Sequence, residues 1–221
     1  MLPPLMYNPP AHQSLDILYQ DDYLIIVNKP SGLLSVPGRG DDKQDCMLSR
    51  LQTEFPDALT VHRLDMSTSG ILIFALNKAT QRDLGSLFEN RKIYKRYLAK
   101  VQGKIGAKEG VIEQPLITDW PNRPKQKIDY AIGKPSKTRY YLKTHNPDNT
   151  SFVLLEPVTG RSHQLRVHMS SLGHPILGDE LYGTTMSKNA SDRLLLHAES
   201  IEFTHPVTHM CISLDCSADF V

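Results

Sequence analysis

The segment 61–70 concentrates ionisable and hydroxyl side chains immediately before an apolar run at 71–76. Asp65 is the carboxylate of this segment. It is predicted to lie in a loop that abuts the core, a position in which it could act in catalysis. A buried carboxylate needs hydrogen bonds or an ion pair, and the hydroxyl residues 67–69 or the loop amides could supply them. The alternative is a turn-stabilising aspartate, since Asp is common in loops. The residues alone leave both roles open for Asp65.

A second segment, 159–168, places two arginines and two histidines within eight residues at the predicted start of a helix. Side chains at i, i+1 and i+4 share a helix face, which would group Ser162, His163 and Arg166. Such a group could bind an anion, and Arg166 could pair with a buried carboxylate. A solvated, charged helix face is the alternative.

Aromatic and basic residues are interleaved in two further stretches, 92–97 and 120–127. This composition is used to hold backbone phosphates and to stack nucleobases. A β-strand with buried tyrosines and outward lysines has the same composition, so the stretches alone favour RNA only weakly.

The hydrophobic pattern of the sequence indicates many strands and a few helices, and these elements must position the four segments. Apolar periodicity predicts helices over 45–55, over 78–90 and from 159 to Gly173. Strands are predicted at 17–19, 24–27, 71–76, 94–102, 111–117, 126–132, 137–145, 151–156, 194–196 and 201–203. Because helices and strands do not alternate strictly, this predicts an α+β fold with a large mixed, mostly antiparallel β-sheet flanked by helices and loops.

Length and composition indicate one ordinary globular domain. The chain has 221 residues, of which 40% are hydrophobic and 22% charged, and this balance argues against extensive disorder. We expect an irregular tail at 1–14 and a single domain at 15–221. The 3 cysteines form no CxxC pair, which favours a reducing compartment. Neither a secretory signal nor a long apolar stretch is seen, so a soluble, cytoplasmic protein is expected.

The formal net charge of +1 hides an uneven distribution. Residues 91–145 carry 14 basic and 4 acidic side chains, whereas 1–60 carry 4 and 8, and 146–221 carry 4 and 9. A basic block of this kind suggests an anionic partner such as nucleic acid. Charges scattered over solvated strand faces are the alternative.

Motifs for cofactors and metals are missing from the sequence. It has no GxGxxG, no GxxxxGK[ST] and no GxSxG. Its 9 histidines do not fall in zinc-binding patterns. We therefore expect no cofactor and no metal.

Taken together and in order, the motifs resemble those of the RluA family of pseudouridine synthases. The similar segments are His62–Gly70 to the family's HRLDxxTSG, Asn28–Leu33 to NKPxG, Lys95–Tyr97 to its K-x-Y position, Gly160–His168 to GRxHQIRxH, and Leu195–Ala198 to LLHA. The matches extend over about residues 15–205, nearly the whole chain. Five motifs in the expected order make the resemblance specific.

The resemblance implies a pseudouridine synthase fold and the isomerisation of uridine to pseudouridine in structured RNA. It implies that Asp65 is the catalytic carboxylate, acting as a nucleophile or through a glycal route. A nearby cation would keep that carboxylate ionised. Arg166 matches the basic residue that pairs with the aspartate, and Tyr97 matches the aromatic residue that stacks on the target uracil. Neither a cofactor nor a metal is implied.

Three further residues receive roles from the same resemblance. The target base must leave its stack to be modified, and Arg63 matches the residue that fills the vacated position. A guanidinium suits that role because it stacks and donates hydrogen bonds. His62 and Leu165 would line or support the pocket, with simple packing as the alternative.

The length of the chain leaves no room for the N-terminal S4-type RNA-binding domain of larger family members. Its length and the stretch 119–127 are closer to the family's dual-specificity member, which acts on a 23S rRNA hairpin and a tRNA anticodon stem-loop. We expect RNA as the partner, no membrane, no obligatory protein partner and a monomer. The main alternative is a catalytically silent RNA-binding module. A two-carboxylate hydrolase would need a second acid beside Asp65, and the strongest motifs contain none.

Overall fold

The chain divides into two units, which are described separately. A computed structural model describes residues 7–12 and 14–221. The central unit is Arg96–Leu196, and the terminal unit combines the described residues up to Lys95 with His197–Val221. Part of the tail predicted at 1–14 lies outside the described residues, and 7–12 have no regular secondary structure.

The described residues form twelve strands and four α-helices. The strands are β1 Ile17–Gln20, β2 Leu24–Lys29, β3 Leu59–Thr60, β4 Ser69–Ala75, β5 Tyr94–Gln102, β6 Glu109–Ile112, β7 Leu116–Thr118, β8 Gln126–Ile128, β9 Thr138–His145, β10 Thr150–Pro157, β11 Leu196–Thr204 and β12 Cys211–Asp215. The helices are α1 Met47–Gln52, α2 Lys78–Glu89, α3 Gln164–Ser171 and α4 Thr185–Asn189. No helix in the described part of the chain has the length and apolar character needed to span a bilayer.

The terminal unit is organised around β4, which is buried along its whole length. β2 pairs antiparallel with residues 70–75 of β4, and β1 pairs with β2. On the other edge of β4, β11 pairs in parallel with its first residues, and β3 pairs antiparallel with its last. β12 lies beside β11, and α2 packs near β3 and β4. The segment that carries Asp65 therefore leads into β4 where the latter lies between β2 and β11.

The central unit contains an antiparallel arrangement of β5, β10, β9 and β6. α3 contacts β9 and β10, and its Leu165 and Met169 join a buried cluster with Ala99, Val153 and other apolar residues. β7 and β8 pair with each other as a small antiparallel hairpin, separate from the larger sheet in the part of the chain that the structure describes. Gly178 has a φ of +72°, and a Cβ there would stand 1.8 Å from the Arg193 carbonyl oxygen, so this turn requires glycine.

The α+β class and the mixed, mostly antiparallel pairing are confirmed, since β4 with β11 is the one parallel pair described within a unit. The strand at 94–102 is also confirmed, and the strands predicted at 137–145 and 151–156 pair antiparallel as β9 and β10. The prediction of a single domain at 15–221 stays a prediction.

Several local predictions were wrong. The strand predicted at 126–132 ends at Ile128, and those predicted at 194–196 and 201–203 are one strand, β11. The strand predicted at 111–117 is interrupted at 113–115, with Pro115 just before β7. The helix predicted from 159 begins only at Gln164, because His163 has a φ of 54° and is left-handed. Ser162 and His163 therefore precede the helix and do not share a face with Arg166. β12 and α4 were not predicted.

Candidate active site

Asp65 lies in the loop between β3 and β4, here called the Asp65 loop (residues 61–68). It is partly buried. Its backbone carbonyl accepts a hydrogen bond from the Thr68 amide at 3.1 Å, which closes a turn just before β4. Thr68 and Ser69 are buried. The loop thus presents the carboxylate at the point where the chain enters the core of the terminal unit.

The ammonium of Lys29 ties the Asp65 loop to the end of β2. Lys29 is completely buried, and its Nζ donates to the carbonyl oxygens of Pro30, Leu33 and Met66 at 2.8, 2.7 and 3.1 Å. A buried ammonium requires such acceptors, because an uncompensated charge in the interior is very unfavourable. Met66 follows Asp65 directly, so Lys29 holds the backbone beside the carboxylate.

Two serines make further connections to the same loop. Ser31 Oγ donates to the Ser67 carbonyl at 2.7 Å. Ser35 Oγ donates to the Leu64 carbonyl at 2.8 Å and accepts from the Leu64 amide at 3.0 Å. The residues on both sides of Asp65 are therefore hydrogen-bonded to 29–35, and the two motifs of this unit form one local structure.

The last residues of the motif, Ser69 and Gly70, fix β4 against β11. Ser69 Oγ lies 2.9 Å from His197 Nδ1, and His197 Nε2 lies 3.0 Å from the Cys216 carbonyl. Because a carbonyl only accepts, Nε2 carries the proton and Nδ1 accepts from Ser69. Gly70 has a φ of +106°, and a Cβ there would stand 2.4 Å from the Ala198 carbonyl oxygen. Glycine is required at this position.

His62 supports the start of the loop. Its Nε2 accepts a hydrogen bond from the Ile73 amide at 3.0 Å, so the imidazole continues the ladder where β3 has ended. Its ring stacks on Phe88 of α2, with centroids 4.4 Å apart, and Lys95 Nζ lies 5.2 Å from the Phe88 centroid. Burial, with a smaller contribution from the Lys95 charge, lowers the pKa of His62 to about 3. The imidazole is neutral, as an acceptor must be.

Arg63 differs from its neighbours because its side chain is exposed. The described residues provide no hydrogen bond or ion pair for its guanidinium. Its neighbours His62 and Leu64 are both anchored through hydrogen bonds. The loop therefore presents an exposed cation on a fixed backbone, two residues before Asp65.

Arg166 lies in the central unit, on α3, and makes a buried bidentate pair with Asp179. Its Nε and Nη2 donate to the two carboxylate oxygens at 2.9 and 2.8 Å, and the residues are 5% and 1% exposed. Oδ1 also accepts from the Leu181 and Tyr182 amides at 3.0 and 3.1 Å. Burial raises the pKa of Asp179, but Arg166 and these amides outweigh it and hold the pKa below its usual value. The pair is fully ionised at neutral pH.

Tyr97 and Leu165 belong to the same part of the central unit. Leu165 is a member of the buried apolar cluster, and the partly buried Tyr97 packs against that cluster from β5. The structure therefore gives Leu165 a packing role within its own unit. Tyr97 has an apolar support for its ring.

The stretch 120–127 forms the turn and second strand of the β7–β8 hairpin, here called the arm (residues 116–128). Trp120 is 65% exposed, and the Arg123 guanidinium lies 4.0 Å from its ring centroid. This is a cation–π contact. Lys125 and Lys127 add further positive charge on the same short segment. The arm thus presents an aromatic ring and three cations to solvent.

The six predicted site residues fall into two groups. The terminal unit carries His62, Arg63 and Asp65 on one loop. The central unit carries Tyr97, Leu165 and Arg166. Among the described residues no group of three histidine, cysteine or acidic side chains could hold a metal ion.

The sequence analysis placed Lys29 within a motif without a chemical role and did not identify Asp179 or Tyr182. A charged residue two positions after the apolar run 24–27 is a signal for a buried, compensated lysine. Asp179 follows the apolar residues 175–178 in the same way. Both charged positions could have been predicted from their place beside an apolar run, because a charge that is buried there needs hydrogen bonds or an ion pair.

Comparisons with known proteins agree with this arrangement. A family model described as RNA pseudouridylate synthase matches residues 23–171. The chain is 51% identical over 214 residues to the dual-specificity RNA pseudouridine synthase RluA of Escherichia coli, covering 97% of this chain and 98% of that protein. It is 50% identical over 220 residues to the protein of that name from Vibrio parahaemolyticus, covering 98% and 88%.

A solved structure shows the same fold. Human RNA pseudouridylate synthase domain containing 1 is 32% identical with a TM-score of 0.79, over 97% of this chain and 87% of that one. The similarity extends across both units, so the fold predicted from the motifs is confirmed.

Proposed function

Because the chain belongs to the RNA pseudouridylate synthase family, we propose that it isomerises uridine to pseudouridine in structured RNA. The reaction breaks the C1′–N1 glycosidic bond, turns the uracil and joins it again through C5. Product and substrate have the same atoms and the same oxidation state, so the net reaction consumes no oxidant or reductant. The chain's own side chains have to provide the acid–base and nucleophilic chemistry.

Asp65 is the proposed catalytic carboxylate. The observation that carries the proposal is the way the Asp65 loop is built: the backbone on both sides of Asp65 is hydrogen-bonded to residues 29–35 while its side chain is left partly accessible. Positioning of this kind lowers the barrier because the reacting group is already oriented. The ionised carboxylate is the form that can attack carbon or accept a proton.

The remaining site residues are proposed to hold the RNA. Arg63, exposed on a fixed backbone, fills the space that the flipped uridine leaves. Tyr97 stacks on the uracil, and the apolar cluster behind it keeps the ring in place. Arg166 supplies positive charge that favours the ionised catalytic carboxylate. His62 and Leu165 support these groups from within their own units.

The proposed substrates are a 23S rRNA hairpin and a tRNA anticodon stem-loop. Two relatives with about half of their residues identical carry the name dual-specificity RNA pseudouridine synthase. The arm supports RNA as the partner, since stacked aromatics and cations suit unpaired bases and phosphates. We also propose that it acts in the cytoplasm, where such RNAs would be its substrates, and that it works as a monomer.

Release of tritium from RNA containing 5-tritiated uridine tests the proposal. The wild type should release tritium from a tRNA or 23S rRNA transcript, because forming the bond at C5 displaces its hydrogen. Asp65→Asn should lower the rate by about a thousandfold or more while RNA binding persists. Asp57→Asn, at an exposed acid of the same unit, is the matched control and should keep wild-type activity.

Each outcome of this assay is decisive. Binding without tritium release by the wild type would identify a silent RNA-binding module. Substantial activity in Asp65→Asn would remove Asp65 from the chemistry.

A further inference from the structure

Tyr182 connects the arm to the buried Arg166–Asp179 pair, and the motifs assigned it no role. It lies in the turn that follows Asp179 and is partly buried. Its hydroxyl, ring and backbone each contact a different part of the central unit. Through these three contacts a single residue joins the arm to the Arg166–Asp179 pair.

The hydroxyl of Tyr182 holds the arm. The Gln126 amide, at the start of β8, donates to this oxygen at 2.7 Å. His163 Nδ1 lies 2.6 Å from the same oxygen. A phenol hydroxyl can accept one hydrogen bond and donate another, so it can bond Gln126 and His163 at the same time. The arm is thereby tied to the residue that starts α3.

The ring and backbone of Tyr182 hold the other end of this connection. The Arg166 guanidinium carbon lies 5.2 Å from the Tyr182 ring centroid. The Tyr182 amide donates to Asp179 Oδ1 at 3.1 Å, and its carbonyl accepts from Ser170 Oγ at 2.9 Å. The ring position is therefore set by the same buried carboxylate that orients Arg166.

The arm needs such an anchor. β7 and β8 have three residues each and pair only with each other among the ladders of the described chain. An isolated two-stranded hairpin of this length is marginally stable in water. Leu116 and Lys134 add one bridge at the base of β7, but Tyr182 is the side chain that reaches the backbone of β8.

We propose that Tyr182 is a positioning residue that holds the RNA-binding arm at a fixed place relative to the buried Arg166–Asp179 pair, so that the arm presents its RNA in one register. The inference rests on the proposed RNA function. It assigns Tyr182 to substrate positioning through its hydroxyl and not to the chemical step.

The test removes the hydroxyl and keeps the ring. Tyr182→Phe should raise KM for tRNA transcribed with 5-tritiated uridine by about three- to tenfold, the worth of one hydrogen bond, with kcat within about twofold of the wild type. KM does not depend on the fraction of folded enzyme, so the readout holds even if the variant is less stable. An unchanged KM, or a fall in kcat alone, would overturn the proposal.

A double-mutant cycle with Trp120→Ala separates positioning from general weakening. Once the arm has lost its stacking side chain, Tyr182→Phe should raise KM by less than about twofold further. If the double variant raises KM by the product of the two single effects, Tyr182 and Trp120 do not act together in positioning the RNA. Tyr19→Phe removes a comparable hydroxyl bond, to Asp21 at 2.8 Å in the terminal unit, and should leave KM unchanged.

Failure of this inference is distinguishable from failure of the proposed function. If the wild type releases no tritium, the enzymatic function itself is wrong. If the wild type is active and Tyr182→Phe behaves like Tyr19→Phe, only the role of Tyr182 is wrong.

Discussion

The Asp65 loop and the arm both carry side chains with a proposed function, yet they are held in opposite ways. The loop is fixed by buried side chains that bond to its backbone, with Lys29 and Ser35 on either side of the carboxylate. The arm is held by its own short ladder, by the bridge at the base of β7 and by the Tyr182 hydroxyl. Its ring at Trp120 and its cation at Arg123 are exposed.

This difference reflects what each region is proposed to do. A reacting carboxylate must be oriented before substrate arrives, and buried hydrogen bonds provide that orientation. A surface that holds RNA needs accessible rings and charges, whose contribution is made to the RNA and not to the fold. Substitutions in the loop should therefore lower stability, whereas substitutions in the arm should weaken RNA binding.

The largest effect is expected at Lys29. Lys29→Met removes the ammonium that bonds three carbonyl oxygens, the buried one of Leu33 among them, and we expect it to lower the free energy of unfolding by about 4 kcal/mol. Urea denaturation measures this loss. Lys78→Met, at an exposed lysine of α2, is the control and should change stability little. A wild-type free energy of unfolding in Lys29→Met would contradict the view that buried hydrogen bonds fix the Asp65 loop.

Gly70 should give the next largest effect. Gly70→Ala combines a left-handed backbone with a Cβ only 2.4 Å from the Ala198 carbonyl oxygen, and we expect a loss of about 3 kcal/mol. Gly85→Ala, in α2 with no atom within 4 Å of the new methyl group, should instead stabilise by up to about 1 kcal/mol. Thermal unfolding of the pair should move in opposite directions. A shift in the same direction for both would show that β4 and β11 separate easily.

His62 should make stability depend on pH. Burial lowers its pKa from 6.5 to about 3, so below pH 6.5 the unfolded chain takes up a proton that the folded protein does not. The free energy of unfolding should fall with decreasing pH by up to about 1.4 kcal/mol per unit from this residue. His62→Gln keeps an acceptor for the Ile73 amide and removes this contribution. Urea titrations between pH 7 and 4 should show a shallower slope; an unchanged slope would mean that the imidazole is accessible to protons.

The smallest effect on stability is expected in the arm. Trp120→Ala should change the free energy of unfolding by less than about 0.5 kcal/mol, because the ring is mostly exposed. It should raise KM for the tRNA substrate by about tenfold, the value of one stacked base. Val111→Ala, at a comparably exposed apolar residue of β6, should alter neither quantity. A loss of stability without a change in KM would assign Trp120 to the fold.

The motifs located the loop because its chemistry is local in sequence. His62, Arg63 and Asp65 are neighbours, and the hydroxyls that follow them are part of the same run. The partners that fix the loop are not local: Met66 is bonded by a lysine 37 positions earlier, and Ser69 by a histidine 128 positions later. Such pairs depend on strand register, which one sequence does not reveal.

Arg166 illustrates the same limit in the other unit. A buried carboxylate partner was considered from the sequence, and Asp179 is one such partner. The motif that contains Arg166 ends before Asp179, so the pair could not be identified from the motif alone. The start of α3 was predicted too early. His163, which precedes the helix, has a left-handed backbone conformation, and histidine is not among the residues that normally mark a helix N-terminus.

The position of Trp120 also makes the arm optically distinct. It is the single tryptophan in the chain, so the intrinsic indole emission of the protein originates entirely from the arm. The ring is 65% exposed and has a guanidinium over one face, which leaves the other face for a nucleobase. Stacking there would quench the emission directly. The unlabelled protein thus contains its own fluorescent reporter for RNA binding by the arm. The Asp65 loop has no tryptophan and does not contribute to this emission.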